Sequence, residues 1–385
     1  MGTPDIKVIT GVRRAGKSTL LHDFASYIHQ EQPHVNLILV DLNNLEQEHL
    51  REYHALHHYI TERHVDSVPN IVLIDEVQMC SQFELAINSL HNSRQYDLYI
   101  TGSNNFLLGS DLVTLFSGRT YSLEVSPFSF REYLDYFPQE NHYAAFRQYL
   151  QDGGFAGSYN YTDVVRKNRY LAEVFDTIVV RDIQDKHHLK NTSLLSPLID
   201  FMADNISRQM SARSLAVSLS QQGEVVSPNT VSNYLDYLID VFVLRRLHRY
   251  DIQGKKYLAS QEKYYLIDHA LRGAHLGHKN ADYSSIFENI VAIELLRRGW
   301  EVYVGTLRHC EIDFVAQRQD EKIYIQVSYS IDVPETFARE VRSLLSLKNA
   351  YPKYLITSTY RPEYSHEGIH VIDIADWLLA PDRAC

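Results

Sequence analysis

The sequence predicts an α/β protein whose first 126 residues form a mainly parallel sheet. Three observations support this fold class. Short apolar runs alternate with helical patterns, a glycine-rich turn joins the first run to the first helix, and the third run closes in two acids. Five strands are predicted, at 6–9, 36–40, 71–74, 98–101 and 121–125.

The glycine-rich turn follows the first strand and fits the spacing G-x-x-x-x-G-K-[S/T] without mismatch. Its residues are Gly11, Val12, Arg13, Arg14, Ala15, Gly16, Lys17, Ser18 and Thr19. A strand, this turn and a helix start together form a phosphate site of backbone N–H groups and helix dipole. We expect Lys17 to bridge the β- and γ-phosphates of ATP and Ser18 to bind Mg²⁺. Arg13 and Arg14 either carry solvated charge or contact phosphate or a partner.

The third strand ends in Asp75 and Glu76. Asp75 is expected to hold Mg²⁺ through its water shell, and Glu76 to polarise the attacking water. In the alternative interpretation, both acids only cap the next helix.

Two further residues complete the predicted catalytic set. Asn104, after the fourth strand, is the first choice for a γ-phosphate sensor and Asn105 the second; ordinary turn chemistry is the alternative. Arg119 precedes the fifth strand and is a candidate arginine finger, acting within the chain or from a neighbouring copy, or else a surface arginine.

Composition limits the function classes. The chain has 385 residues, three cysteines and a formal net charge of -11. This length accommodates two or three domains, and the cysteine usage indicates the cytoplasm. No apolar run approaches the roughly 20 residues that span a bilayer, which predicts no membrane association. The negative charge argues against nonspecific coating of nucleic acid.

Three segments are predicted after the sheet. Residues 127–204 have a helical, aromatic pattern and are interpreted as a helical cap and linker. Residues 205–263 show two short helices, a third helix starting at Pro228 and a hairpin, which is the pattern of a winged helix-turn-helix. Such a module would meet DNA phosphates through its basic side chains, and the alternative is a protein-docking module. These side chains are Arg245, Arg246, Arg249, Lys255 and Lys256.

The last segment, 264–385, has the outline of a restriction-endonuclease-like site. Glu288 on a helix and Asp313 on a strand would hold Mg²⁺, with Gln326 and Ser328 in the next positions. Such a site needs a lysine near the scissile phosphate, and Ser328 stands in that position. Lys322 lies six residues away, roughly 20 Å along a strand. We therefore expect a vestigial site that cuts DNA poorly.

The chain resembles a prokaryotic family of AAA-like P-loop ATPases with a C-terminal domain of unknown function. The matching phrases include Gly11 to Thr19, Leu73 to Gln78, Thr101 to Asn104, Gly153-Gly154-Phe155 and Glu311 to Phe314. The resemblance implies the sheet order 5-1-4-3-2, Glu76 as catalytic base, and a C-terminal winged helix followed by a restriction-endonuclease-like fold. This chain departs from the family in having a very short segment before the first strand and in lacking the nuclease lysine.

Three function classes follow. The leading one is an ATPase whose hydrolysis switches how a C-terminal module holds DNA or a protein partner. The second is an ATP-regulated, Mg²⁺-dependent nuclease. The third is a nucleotide-binding scaffold that does not hydrolyse ATP, which the Asp75–Glu76 pair disfavours. The sequence leaves the oligomeric state open.

Overall fold

The structure, a computed structural model, describes most of the chain. It covers residues 2–102, 116, 118–178, 183–187, 194–221, 226–254, 256–277, 282–307 and 310–381, with only the backbone at 185–186 and 256–260. The chain divides into two compact units, Met1–Ser126 and Pro127–Cys385. Within the described residues no helix is both long and apolar enough to cross a membrane.

The first unit is a parallel sheet covered by helices. Its strands are β1 (Ile6–Thr10), β2 (Asn36–Asp41), β3 (Asn70–Asp75), β4 (Tyr96–Thr101) and β5 (Thr120–Glu124). Its α-helices are α1 (Lys17–Glu31), α2 (Tyr53–Glu62) and α3 (Phe83–Ser93), and Leu45–Arg51 and Val77–Met79 are 3-10 helices. The strand order is β2-β3-β4-β1-β5, with all pairs parallel, which confirms the expected order.

Alternate residues of the central strands belong to different hydrophobic clusters. On β3, Val72 and Ile74 pack with residues of α2 and α3, whereas Ile71 and Leu73 pack with residues of α1. This two-residue period places one layer of helices on each face of the sheet. Because both faces are covered, binding groups are concentrated at the ends of the strands.

The second unit is built around a mixed sheet with helices. Its α-helices are α4 (Phe130–Tyr136), α5 (His142–Asp152), α6 (Val164–Asp176), α7 (Ile183–His187), α8 (Leu195–Asp204), α9 (Ala212–Gln221), α10 (Pro228–Asp240), α11 (Ala270–Leu276), α12 (Tyr283–Arg297), α13 (Pro334–Leu345) and α14 (Ile374–Leu379). Its strands are β6 (Gln209–Met210), β7 (Leu244–Asp251), β8 (Lys256–Leu266), β9 (Glu301–Leu307), β10 (Cys310–Arg318), β11 (Glu321–Ser328), β12 (Lys353–Thr357), β13 (Tyr364–His366) and β14 (Ile369–Asp373). Ala156–Asn160 is a 3-10 helix.

These strands form one nine-stranded sheet in the order β13-β14-β12-β11-β10-β9-β7-β8-β6. Strands β11, β12 and β14 are parallel, whereas β9, β10 and β11 form an antiparallel meander. The hairpin of the predicted winged helix, β7–β8, continues into this sheet because β7 pairs with β9. The winged-helix and restriction-endonuclease-like assignments stay predictions.

The glycine pair at 153–154 encloses a buried aspartate. Gly154 N donates to Asp268 Oδ2 at 2.6 Å, and Ala270 N donates to Asp268 Oδ1 at 2.9 Å. A Cβ at Gly153 would lie 2.5 Å from Asp268 Oδ1, and one at Gly154 would lie 2.3 Å from Phe128 O. Both positions therefore require glycine, which gives this pair a packing role.

Candidate functional site

The phosphate loop connects β1 to α1 at the carboxyl edge of the first sheet. Gly16 caps α1 with φ 102°. Gly11 has φ 137°, and a Cβ there would lie 2.1 Å from the carbonyl oxygen of Val125. Both glycines are thus required by the backbone path. The loop ends at the N-terminus of α1, where the first N–H groups have no partner within the helix.

Lys17 begins α1 and is buried, at 5% exposed. Its Nζ donates to the carbonyl oxygens of Gly11 and Val12 at 2.9 and 3.0 Å. These contacts hold the ammonium inside the curve of the loop. Among the other loop residues, Ser18 is half-buried and Thr19 exposed. Nothing in this geometry conflicts with phosphate binding by Lys17.

The two acids after β3 lie at the same edge of the sheet as the loop. Asp75 is buried at the end of β3, and its Oδ1 accepts a hydrogen bond from the Thr101 hydroxyl at the end of β4. Thr101 Oγ1 also accepts from Glu76 N at 2.9 Å. Since β4 lies between β3 and β1, Thr101 stands between the acids and the strand that leads into the loop.

Glu76 has a strained backbone conformation, with φ 53° and ψ 50°. A residue other than glycine in this left-handed region costs about 1–3 kcal/mol and persists only where its surroundings fix it. Here the Thr101 hydroxyl fixes the backbone N–H, and Gln78 Nε2 donates to the Glu76 carboxylate. Sequence reasoning assigned no role to Thr101 or Gln78, although both lie within the phrases that carry the family resemblance.

Two of the predicted catalytic residues do not join this group. Asn104 lies outside the described residues, as does Asn105. Arg119 is at the opposite edge of the sheet, because its carbonyl accepts from Ile6 N at the start of β1. The loop follows the other end of β1, roughly 17 Å away at 3.3 Å per residue. A phosphate contact by Arg119 within the chain does not fit this placement, whereas an arginine finger from a neighbouring copy stays a prediction.

A second group of buried charges lies in the second unit. Lys263 on β8 is 3% exposed, and its Nζ lies 2.8 Å from Glu288 Oε1 and 2.7 Å from Glu311 Oε1. Asp313 Oδ1 is 3.9 Å from the same nitrogen, and Tyr265 Oη donates to Glu288 Oε1 at 2.7 Å. We call Lys263, Glu288, Glu311 and Asp313 the lysine–carboxylate cluster.

Charges within the cluster change its pKa values. Burial acts to lower the pKa of Lys263, but the carboxylates, Glu288 foremost, outweigh burial and raise it. Burial and then Glu288 raise the pKa of Asp313 well above its usual range. Lys263 is therefore charged at neutral pH, and its ammonium already sits among the carboxylates.

This arrangement bears on the predicted vestigial nuclease metal site of Glu288, Asp313 and Gln326. The structure brings all three together, with Asp313 N donating to Gln326 Oε1 at 3.4 Å and Val327 N donating to Asp313 Oδ2 at 2.8 Å. However, the Lys263 ammonium lies 2.8 Å from Glu288 Oε1 and 3.9 Å from Asp313 Oδ1, so both acids already face a cation supplied by the protein. Among the described residues no group of three metal ligands is found.

Lys263 is a lysine beside these acids that the sequence did not reveal. Sequence reasoning considered only Lys322, whose Nζ lies 5.1 Å from the Tyr250 ring centroid. Lys263 was missed because the predicted boundary between the winged helix and the last segment falls at 263/264, whereas in the structure a single strand, Lys256–Leu266, crosses that boundary. Only the fold places this residue beside Asp313, 50 residues later in the chain.

The predicted DNA-contacting arginines are engaged inside the unit. Arg246 Nη1 pairs with Asp236 Oδ1 at 2.9 Å, and Asp236 lies on α10, the third helix of the predicted winged helix-turn-helix. Arg249 Nε donates to Thr306 at 3.2 Å, and Arg245 lies over the Phe242 ring at 5.2 Å. Lys255 is outside the described residues, as is the side chain of Lys256.

Two curated proteins are similar to this chain along nearly its whole length. An uncharacterized protein of Haemophilus influenzae is 37% identical over 98% of this chain and 95% of its own length. The chain belongs to the family of that protein. The chain is also similar to an uncharacterized protein of Methanocaldococcus jannaschii, which is 25% identical over 96% of this chain and 85% of its own length.

The domain matches agree with the sheet and the loop. A family described as an AAA domain matches residues 3–134. Two families, each described as a domain of unknown function (DUF8612 and DUF4143), match residues 143–282 and 283–377. A solved Walker-type ATPase of Pyrococcus abyssi is similar at 16% identity with a TM-score of 0.45, covering 71% of this chain and 91% of that one. The first unit is an AAA-like P-loop ATPase domain.

Proposed function

We propose that this protein binds and hydrolyses ATP with Mg²⁺ at the carboxyl edge of the first sheet. The observation that carries the proposal is the hydrogen-bonded group of Asp75, Thr101 and Glu76 at the same edge as the Lys17 loop. A non-hydrolysing scaffold would need the loop alone. Thr101 holds Glu76 in a strained backbone conformation. Such strain is typical of residues that act in a reaction, and here it favours activation of the attacking water by Glu76 over nucleotide binding alone.

The residues divide the chemistry between them. Lys17 and the N–H groups at the start of α1 would bind the β- and γ-phosphates and offset the charge that develops on transfer. The Glu76 carboxylate would accept the proton of the attacking water, and its contact with Gln78 would keep one carboxylate position fixed.

Hard oxygen donors suited to Mg²⁺ are present at this edge. The Ser18 hydroxyl and the Asp75 carboxylate would hold the ion, Asp75 through a water molecule. The ion would supply charge neutralisation at the phosphate oxygens. The Thr101 hydroxyl would keep Asp75 in position, because it donates to one carboxylate oxygen.

The second unit would be the effector, and hydrolysis would change how it holds a partner. We favour a protein partner over DNA, because Arg246 is neutralised by Asp236 on the helix that would have to enter a groove. A nuclease is disfavoured, because Glu288, which would have to hold the metal ion, already pairs with the Lys263 ammonium at 2.8 Å. Cys80 and Cys310 are not joined in a disulfide, and a chain with only three cysteines is typical of the cytoplasm.

The test is phosphate release from ATP by the purified full chain, with Mg²⁺ and with excess chelator. We expect turnover that requires Mg²⁺ and disappears in Lys17→Ala. Turnover that persists in Lys17→Ala at the parent rate would come from a contaminant or another site and would contradict the proposal. The exposed Lys348→Ala is the matched control, and its rate should equal that of the parent.

A further inference from the structure

A cavity of about 240 Å³ opens in the second unit at the carboxyl ends of two parallel strands. Tyr329 follows β11, and Ser358 and Tyr360 follow β12, so all three reach the cavity from the same edge. Helices α5, α11 and α12 supply the other walls. The carboxyl edge of parallel strands is where α/β folds place ligand crevices.

The walls and rim of the cavity are aromatic. Phe146 and Phe287 form part of the buried wall, with ring centroids 5.6 Å apart. At the rim, Tyr283, Tyr329 and Tyr360 are 44, 43 and 52% exposed. Tyr283 stacks on Tyr329 at 5.3 Å. Exposed aromatic rings around a cavity are suited to stacking against a planar ring.

The charged lining is entirely basic. Arg147 and Arg272 line the cavity, and among the residues that the structure describes no aspartate or glutamate does so, in a chain with a formal net charge of -11. Arg272 is 5% exposed and reaches Asp204 at 3.2 Å, whose own side chain is 64% exposed and therefore well solvated. Arg147 lies over the Tyr360 ring at 5.9 Å and forms no ion pair among the described residues. The cavity thus favours an anion.

We propose that this cavity binds a nucleotide, with its phosphate on Arg147 and Arg272 and its base against the rim tyrosines. Two guanidinium groups match a phosphate dianion better than a single carboxylate. The volume is below the usual lower bound of about 300 Å³ for ligand cavities, which limits the ligand to one nucleotide unit. That unit is either a free nucleotide or the 5′-phosphorylated end of a single strand, since both present the same chemistry.

The test uses the full chain carrying Lys17→Ala, so that the phosphate loop does not contribute. The probe is N-methylanthraniloyl-AMP, followed by fluorescence anisotropy. We expect saturable binding that weakens at least tenfold in Arg147→Ala and in Tyr360→Ala, since each loses a charge-assisted contact or a stacking surface. Arg166→Ala, exposed on α6 and outside the cavity, should leave the affinity unchanged.

Competition separates the two sources of the ligand. Displacement by AMP alone identifies a free nucleotide, and displacement by a 5′-phosphorylated oligothymidylate, but not by its 5′-hydroxyl form, identifies a strand end. The proposal is overturned if the probe does not bind, if Arg147→Ala and Arg166→Ala bind it equally, or if 4-hydroxybenzoate displaces it as well as AMP. None of these results bears on ATP hydrolysis by the first unit, which is measured in the chain with Lys17 intact.

Discussion

Lys17 and Lys263 are both almost completely buried, yet different groups surround their ammonium groups. Lys17 donates to two carbonyl oxygens of its own loop, within six residues of itself. Lys263 lies against carboxylates contributed by α12 and β10. Carbonyl dipoles orient a cation without neutralising it, whereas carboxylates neutralise it. The charge of Lys263 is therefore balanced within the fold by neighbouring carboxylates, whereas the described contacts of Lys17 orient its ammonium within the phosphate loop.

The largest expected effect is that of Lys17→Ala on nucleotide binding. Removal of the ammonium takes a positive charge from the β- and γ-phosphates, so we expect ATP hydrolysis to fall more than about 100-fold. Equilibrium binding of labelled ATP measures the cause, and the thermal unfolding of the chain should change little. A variant that binds ATP like the parent would break the comparison, because Lys17 would then be structural, as Lys263 is.

Lys263→Met should instead act on stability. It leaves Glu288 and Glu311 without their counter-charge, and breaking a buried ion pair costs about 3–5 kcal/mol. The carboxylates raise the pKa of Lys263 above its unfolded value of about 10.4, so this contribution is fully present at neutral pH and is lost only as pH rises through the folded value.

Urea unfolding followed by tryptophan fluorescence measures this loss. Trp300 and Trp377, the two tryptophans of the chain, are both buried in the second unit and report on it alone. The rate of ATP turnover per folded molecule should stay at the parent value in Lys263→Met. An unfolding midpoint equal to that of the parent would show that the cluster contributes no stability.

Thr101→Val should reduce turnover by about tenfold, a typical effect of removing a group that positions a metal ligand. The change keeps the side-chain shape but removes the hydroxyl that joins Asp75 to the Glu76 backbone. The informative measurement is the Mg²⁺ concentration that gives half-maximal rate, which should rise. If Thr101 had only a structural role, Thr101→Val would lower the stability of the fold and leave the Mg²⁺ concentration for half-maximal rate unchanged.

Asp313→Asn should have the smallest effect, a loss of about 1 kcal/mol or less. Burial and Glu288 raise the pKa of Asp313, so its ionised form is already disfavoured, and an amide oxygen can still accept from Val327 N. The same tryptophan-monitored unfolding applies. If Asp313→Asn lowers the free energy of unfolding as much as Lys263→Met does, this prediction is contradicted. The Asp313 carboxylate would then stabilise the lysine charge as much as Glu288 and Glu311 do.

The contrast between the two lysines also shows what the sequence can predict. The loop and the Asp75–Glu76 pair were predictable because each is contiguous in the chain and next to a strand end, and the strand order followed from the family resemblance. The lysine–carboxylate cluster was not, because Lys263 and Glu311 come from strands that are separated in the sheet order by β7 and β9.

The contact made by Thr101 and the placement of Arg119 escaped sequence reasoning for different reasons. Thr101 was within a recognised phrase, but a threonine at a strand end is also common for packing reasons, so no sequence signal distinguished it. Arg119 could have been placed from the sequence. It precedes a strand that runs parallel to β1, and the starts of parallel strands lie at the edge opposite the loop.

The most direct test of the central claim, that the first unit uses Glu76 to hydrolyse ATP, is a single-turnover measurement with Glu76→Gln. The amide can position water but accepts its proton poorly, so cleavage of bound ATP should slow by about 10²–10⁴-fold while ATP affinity stays at the parent value. The exposed Glu31→Gln, on α1, is the control and should cleave ATP normally. Cleavage by Glu76→Gln at the parent rate would contradict the account.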